Sequence, residues 1–172
     1  VLSRLMEPYP ETLRQRILAL YEPGAGELDR LGVLDRELGE FFAEVALKVC
    51  QAGGYLPGTV DVIGSHGQTI RHRPPAFSMQ IGNPFVIANR CGVVTVADFR
   101  MADMVRGGQG APLVPMFHRT LFGGKGQSTA VVNLGGIANI TALRADRGMV
   151  AGDTGPANTL MDHWADRYTD GR

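Results

Sequence analysis

Asp153 and the glycines near it are the residues of this chain best suited to chemistry. They lie within residues 130–158, AVVNLGGIANITALRADRGMVAGDTGPAN. An apolar run at 130–134 meets the pair Gly135-Gly136, and a second strand-like run follows at 137–143. Glycines let backbone N–H groups approach a ligand with no Cβ in the way. A helix expected from Pro156 would aim unpaired N–H groups and a partial positive charge at the same place. Such elements suit an anion such as phosphate. A carboxylate at the mouth of that site can take a proton from a nucleophile. The plainer use of Asp153, or of Thr154, is to cap the helix that follows. The tight turn N-L-G-G-I-x-N upstream tips the balance toward a phosphate cradle with Asp153 as its base.

Other glycine clusters also end apolar segments, where α/β folds place ligand loops. They are Gly64-Ser65-His66-Gly67 and Gly107-Gly108-Gln109-Gly110. Glycine totals 23 residues, about twice the usual share. His66 and His72 with Asp98 would be the ligands of a metal-dependent hydrolase. A strand-end histidine beside glycines is more often a hydrogen-bonding or substrate-contact residue. Asp98-Phe99-Arg100 closes the run VVTVA, so Arg100 either makes a surface ion pair or binds an anionic or hydroxyl-rich substrate. His118 is expected to be structural. Common fingerprints are absent: Gly124-Lys125 is followed by Gly126 where a P-loop needs Ser or Thr. Ser65 has Ile63 where a nucleophile elbow needs glycine.

The 172 residues carry 17 basic and 17 acidic side chains, for a formal charge of zero. That balance offers nucleic acid no basic face. No apolar run approaches the ~20 residues of a membrane span. Neither nucleic acid nor a membrane is therefore expected as a partner. No signal-peptide pattern opens the chain, and Cys50 and Cys91 form no motif and sit in apolar contexts. They are expected as thiols, in a cytoplasmic protein.

Periodicity predicts helices at 11–21 and 27–51, the second striped by Leu31, Leu34, Leu38, Phe42, Val45 and Val49. A buried strand is expected at 60–63 and a two-stranded extension at 70–73 and 77–81. A helix at 84–90, with Pro84 first and Gly92 beyond its end, precedes a central strand at 93–97. One or two helical turns at 101–106 and a helix at 113–122 come next. Residues 123–128 read as a domain boundary. Beyond it come strands at 130–134, 137–143 and 149–151, then a helix at 156–168.

Six segments in series resemble the anhydro-N-acetylmuramic acid kinase family. They are GSHGQTIRHRP (64–74), MQIGNP (79–84), VADFR (96–100) with Asp103, GGQGAPLVPMFH (107–118), NLGGIANIT (133–141) and DTGPANTLMD (153–162). The resemblance implies an α/β, actin-like ATPase (ribonuclease H-like) two-domain fold, incomplete here. Residues 1–124 would be most of the first domain and 128–172 the start of the second. It implies a kinase that uses ATP and Mg²⁺ to open 1,6-anhydro-N-acetylmuramic acid with water and phosphorylate O6, in cell-wall recycling. Asp153 would be the catalytic base. Gly135, Gly136 and Asn139 would bind phosphate, and His66, Gln68, Thr69 and Arg100 the amino sugar. No metal is assigned to a protein side chain. The assembly stays open between monomer and homodimer. Ala157 stands where the family has glycine, and Met101 and Ala102 where it often has arginines. Family members are longer and begin with a phosphate loop that this chain lacks. The chain is thus expected as a central fragment, inactive alone, with a non-catalytic binding module as the alternative.

Overall fold

A computed structural model describes residues 1–124, 126–146 and 148–169. The architecture is mixed α/β, in two compact units, Val1–Gly108 and Gln109–Arg172. Among the described residues no helix is long and apolar enough to cross a membrane.

The first unit is built on one long helix. Helix α1 spans Glu11–Ala19 and α2 spans Glu27–Ala52. Glu27 and Asp29 stand in the first turn of α2, where acidic groups complement the helix dipole. Its apolar stripe recurs every three or four residues, so one face is covered. Leu34 and Leu38 of that face are fully buried with Ile17 and Leu20, against Ile70 and Ile81. Those last two lie on β2 (Gln68–Arg73) and β3 (Phe77–Ile81), which pair antiparallel from Gln68↔Ile81 to Arg73↔Phe77. Helix α3 (Pro84–Cys91) packs lower on α2, where Ala43, Ile87, Cys91 and Val93 form a second cluster. Asn83 caps it: its Oδ1 accepts from the amides of Phe85 (3.0 Å) and Val86 (3.4 Å). Cys50 and Cys91 are free thiols, and burial pushes the Cys91 thiol up.

The runs at 60–63 and 93–97 form much shorter strands than expected. β1 (Ile63–Gly64) and β4 (Thr95–Val96) pair in parallel over two residues each. A strand exists only as far as its ladder partner does, and each run pairs with the other alone among the described residues. Helix α4 (Phe99–Met104) follows β4 at once.

The second unit begins with α5 (Pro115–Phe122). The division between units thus falls ahead of α5, with the glycine-rich stretch 123–128 after it; Lys125 is outside the described residues. β5 (Thr129–Leu134), β6 (Ile137–Leu143) and β7 (Met149–Pro156) form an antiparallel meander, and α6 spans Asn158–Thr169. His118 of α5 bonds through Nδ1 to the hydroxyl of buried Thr141 at 2.9 Å, a structural role. β7 runs well past the expected 149–151, and α6 starts later than the expected 156. Residues 153–156, which resemble a helix opening, lie in β7 instead.

Candidate functional site

The candidate residues of the second unit converge at one end of its sheet. β5 and β6 meet at the Gly135-Gly136 turn, with Asn133 opposite Asn139 and Leu134 opposite Ala138. On the other side of β6, Asn139 stands opposite Asp153. Directly opposed residues have Cβ atoms about 5 Å apart. Asn139 and Asp153 are therefore neighbours, one short step from the glycine turn. The register shifts between Ala138 and Asn139, which pair with Gly155 and Asp153, so Thr154 is an extra residue on β7. Its hydroxyl donates to the Ala138 carbonyl at 3.2 Å. A bulge of this kind bends a strand and re-aims the side chains beside it. Gly155 follows at φ 150°, a conformation that side-chain-bearing residues rarely take.

This geometry removes the capping use of Asp153, because that residue lies inside β7, upstream of α6. It also corrects the expectation of free amides at the helix start. The amides of Ala157 and Asn158 donate to the carbonyls of Gly136 (2.9 Å) and Gly135 (2.8 Å). The Asn158 side chain donates to the Leu134 carbonyl at 2.9 Å. The turn thus satisfies donors that a helix start leaves open. An anion would have to approach the turn from its outer side. The two glycines differ there. A Cβ on Gly136 would stand 2.6 Å from Thr159 Oγ1, so the Thr159 side chain would have to turn aside. A Cβ on Gly135 would meet nothing closer than 3.5 Å within the protein. What Gly135 leaves open is close approach by a ligand.

In the first unit, a cavity of about 530 Å³ is lined by His66 and Gly67, Asp35, Asp98 and Met101, and the β3 residues around Gln80. Asp98 is the one non-glycine residue with positive φ (59°) among the described residues, at the step from β4 into α4. Arg100 donates from Nε to His66 Nε2 at 2.9 Å, so two of the four expected sugar contacts touch each other. Gln68 and Thr69 are engaged elsewhere. Gln68 accepts from the Tyr9 hydroxyl (3.1 Å) and donates to the Tyr21 hydroxyl (3.2 Å). Burial, with Tyr21 second, pushes the Tyr9 phenol up, which keeps it a donor. Thr69 Oγ1 accepts from Gln80 Nε2 at 3.1 Å. Gln80 also donates to Ser78 at 2.7 Å, and its own Oε1 is buried without a partner among the described residues.

Asp35 has no local sequence signal. Its two carboxylate oxygens accept from the Gly82 amide (2.8 Å) and the Asn83 side chain (2.9 Å), which ties the end of β3 to α2. The hydrolase alternative finds no support in this arrangement. His72 bonds to Ser78, and among the described residues no group of three or more His, Cys, Asp or Glu could hold a metal ion.

A sequence profile described as anhydro-N-acetylmuramic acid kinase matches residues 1–172. The protein of that name from Bordetella pertussis is 46% identical over 170 residues, covering 98% of this chain and 45% of its own length. Those from Vibrio cholerae (45% over 163 residues, 93% of this chain and 44% of theirs) and Saccharophagus degradans (47% over 163 residues, 91% and 44%) are similar. The chain spans less than half the length of these relatives.

Proposed function

The chain belongs to the anhydro-N-acetylmuramic acid kinase family, and on that premise we propose that the whole protein opens 1,6-anhydro-N-acetylmuramic acid and phosphorylates it from ATP. The products are N-acetylmuramic acid 6-phosphate and ADP. The observation that carries this reading is the meeting of Asp153, Asn139 and the Gly135-Gly136 turn at one sheet end.

Asp153 takes a proton from a water held beside C1 of the sugar. That water adds to C1, the bond from C1 to O6 breaks, and the freed O6 attacks the γ-phosphorus. A positioned base contributes roughly 10²–10⁴-fold. The Gly135-Gly136 turn and Asn139 approach the transferring phosphates. ATP supplies the phosphoryl group, with Mg²⁺ neutralising the developing charge. His66 and Arg100 serve the sugar side, with Gln68 and Thr69 behind them. The fold is the actin-like, two-domain ATPase arrangement, with a first domain at 1–124 and a second beginning at 128. Use of ATP on a cell-wall fragment assigns the reaction to the cytoplasm.

The test uses the full-length protein. ADP release should require the anhydro-sugar, and Asp153→Asn should lower turnover roughly 10²–10⁴-fold while the fold stays intact. An Asn variant of unchanged turnover would remove Asp153 from the mechanism.

A further inference from the structure

The second unit has a further cavity, at the end of its sheet away from the Gly135-Gly136 turn. Its volume is about 270 Å³, and Arg119, Gly123, Gly124, Leu143, Arg144 and Gly148 line it. Leu143 pairs with Met149 at one end of the β6–β7 ladder, and Ile137 pairs with Pro156 at the other. β6 is 7 residues long, which puts the two ends about 20 Å apart.

The two arginines come to this cavity from different elements. Arg119 stands in the last turn of α5, and Arg144 follows β6 directly. The Gly123 amide donates to the Arg119 carbonyl at 2.9 Å, and a Cβ on Gly123 would stand 2.5 Å from that oxygen. Gly124 follows at φ 84°, with no atom within 4 Å of where a Cβ would stand. That backbone is open to close approach. The Arg144 amide donates to the Gly148 carbonyl at 2.8 Å and closes the turn from β6 into β7. Residues 119–148 carry four basic side chains and one acidic one, Asp146. Asp146 Oδ1 accepts from the Gly148 amide at 2.9 Å and lies 3.8 Å from Arg144 Nε, too far for a hydrogen bond. The Arg119 guanidinium and the η nitrogens of Arg144 have no partner among the described residues. A cation at the carbonyl end of α5 is favoured in its own right, which accounts for Arg119 but not for a second arginine beside it. Two full positive charges there stand against one carboxylate and about half a charge at the helix end.

We propose that this cavity binds a phosphate group, free or as a phosphomonoester, between Arg119 and Arg144. A guanidinium offers parallel N–H donors to a pair of oxygens, and a tetrahedral phosphate has oxygens enough for two such forks. A carboxylate has two oxygens and would leave one arginine unfilled. The volume lies below the roughly 300–1,000 Å³ of ordinary small-molecule sites, which suits a small anion and not a whole nucleotide. The site is separate from the phosphate cradle at the glycine turn and does not depend on the kinase reading.

Titration of the ¹⁵N-labelled 172-residue chain with sodium phosphate at constant ionic strength tests this by NMR. Saturable shifts should appear at the Nε–H signals of Arg119 and Arg144 and at the amides of Gly123, Gly124 and Gly148. Arg119→Gln and Arg144→Gln should each weaken binding about tenfold, the scale of one charge-assisted hydrogen bond, with the rest of the spectrum unchanged. Shifts confined to Gly135, Gly136 and Asn139 would place the anion at the glycine turn alone and overturn the proposal. Shifts that sodium chloride reproduces, or that both Gln variants retain in full, would overturn it too. Acetate should bind about tenfold more weakly than phosphate, and equal binding of acetate would contradict the choice of phosphate. A last titration with glucose 6-phosphate distinguishes the sources. Tighter binding of the ester would assign the site to a phosphorylated metabolite, and tighter binding of inorganic phosphate to the free anion; either upholds the site.

Discussion

The first unit holds two closed apolar clusters, although Phe85 and Val94 stay exposed, whereas the second buries few of its apolar side chains. In the first, Leu34 and Leu38 are 1% and 0% exposed within a closed cluster that reaches α1 and the β2–β3 hairpin. In the second, β5 and α6 have no buried residue at all. Val132 is 57% exposed and Trp164 52%, the latter stacked on Tyr168 at 4.9 Å. Apolar burial contributes about 25 cal/mol per Å², so the two units hold their sites by different means. The cavity at His66 stands on a packed core. The sheet end of Asp153 stands on a hydrogen-bonded ladder and on the bonds from α6 to the glycine turn. Regions with few buried apolar contacts open at low free-energy cost.

Substitutions can break or sharpen this contrast. The largest effect should come from Leu38→Ala, at about 2–5 kcal/mol of stability in denaturant melts. Val132→Ala should cost about 0.5 kcal/mol or less. Equal losses would contradict the contrast. Next, Gly136→Ala sets a Cβ against Thr159 Oγ1 and should cost about 0.5–1.5 kcal/mol, because that side chain must leave its present rotamer. Gly135→Ala should leave stability nearly unchanged while weakening ATP binding in the full-length protein. Calorimetry reads both, and a Gly135→Ala variant that binds ATP normally would remove that glycine from the phosphate site. Asn83→Ala should cost about 1 kcal/mol, the usual value for a lost cap.

The smallest effect belongs to the surface cluster of Lys48 with Glu44 and Glu7, each at 2.9 Å. The hydrogen bonds from Glu44 and then Glu7 push Lys48 up to about 12 from the ordinary 10.5. Its contribution is therefore complete below pH 10.5 and lost as pH rises through about 12. The hydrogen bond to Lys48 holds Glu44 below its ordinary value, so its share is present at neutral pH and lost on acidification through the lowered value. Lys48→Met should barely move the melt at neutral pH, and high salt should erase the difference.

The sequence made the locally determined features legible. The α2 stripe, the β2–β3 hairpin, the helix start at Pro84 and the Gly135-Gly136 turn all follow from short-range patterns. The features it hid depend on distant partners. β1 and β4 are short because pairing, and not β-propensity, decides where a strand ends. Residues 153–156 carry helix-start residue types, yet the ladder with β6 overrides them and inserts a bulge at Thr154. Asp35 reads as one acid among several on α2, since its partners Gly82 and Asn83 lie 47 and 48 residues away. Gln68 and Thr69 sit in a motif whose spacing says nothing of which side chains Tyr9, Tyr21 and Gln80 will occupy.

The most direct test of the proposed chemistry follows the oxygen of the attacking water. The full-length protein would turn over 1,6-anhydro-N-acetylmuramic acid and ATP in ¹⁸O water. If Asp153 activates water against C1 and O6 then takes the phosphoryl group, the label appears on the C1 hydroxyl of the product and none enters the phosphate. Label in the phosphate would show that water attacks phosphorus, and would contradict the role assigned to Asp153.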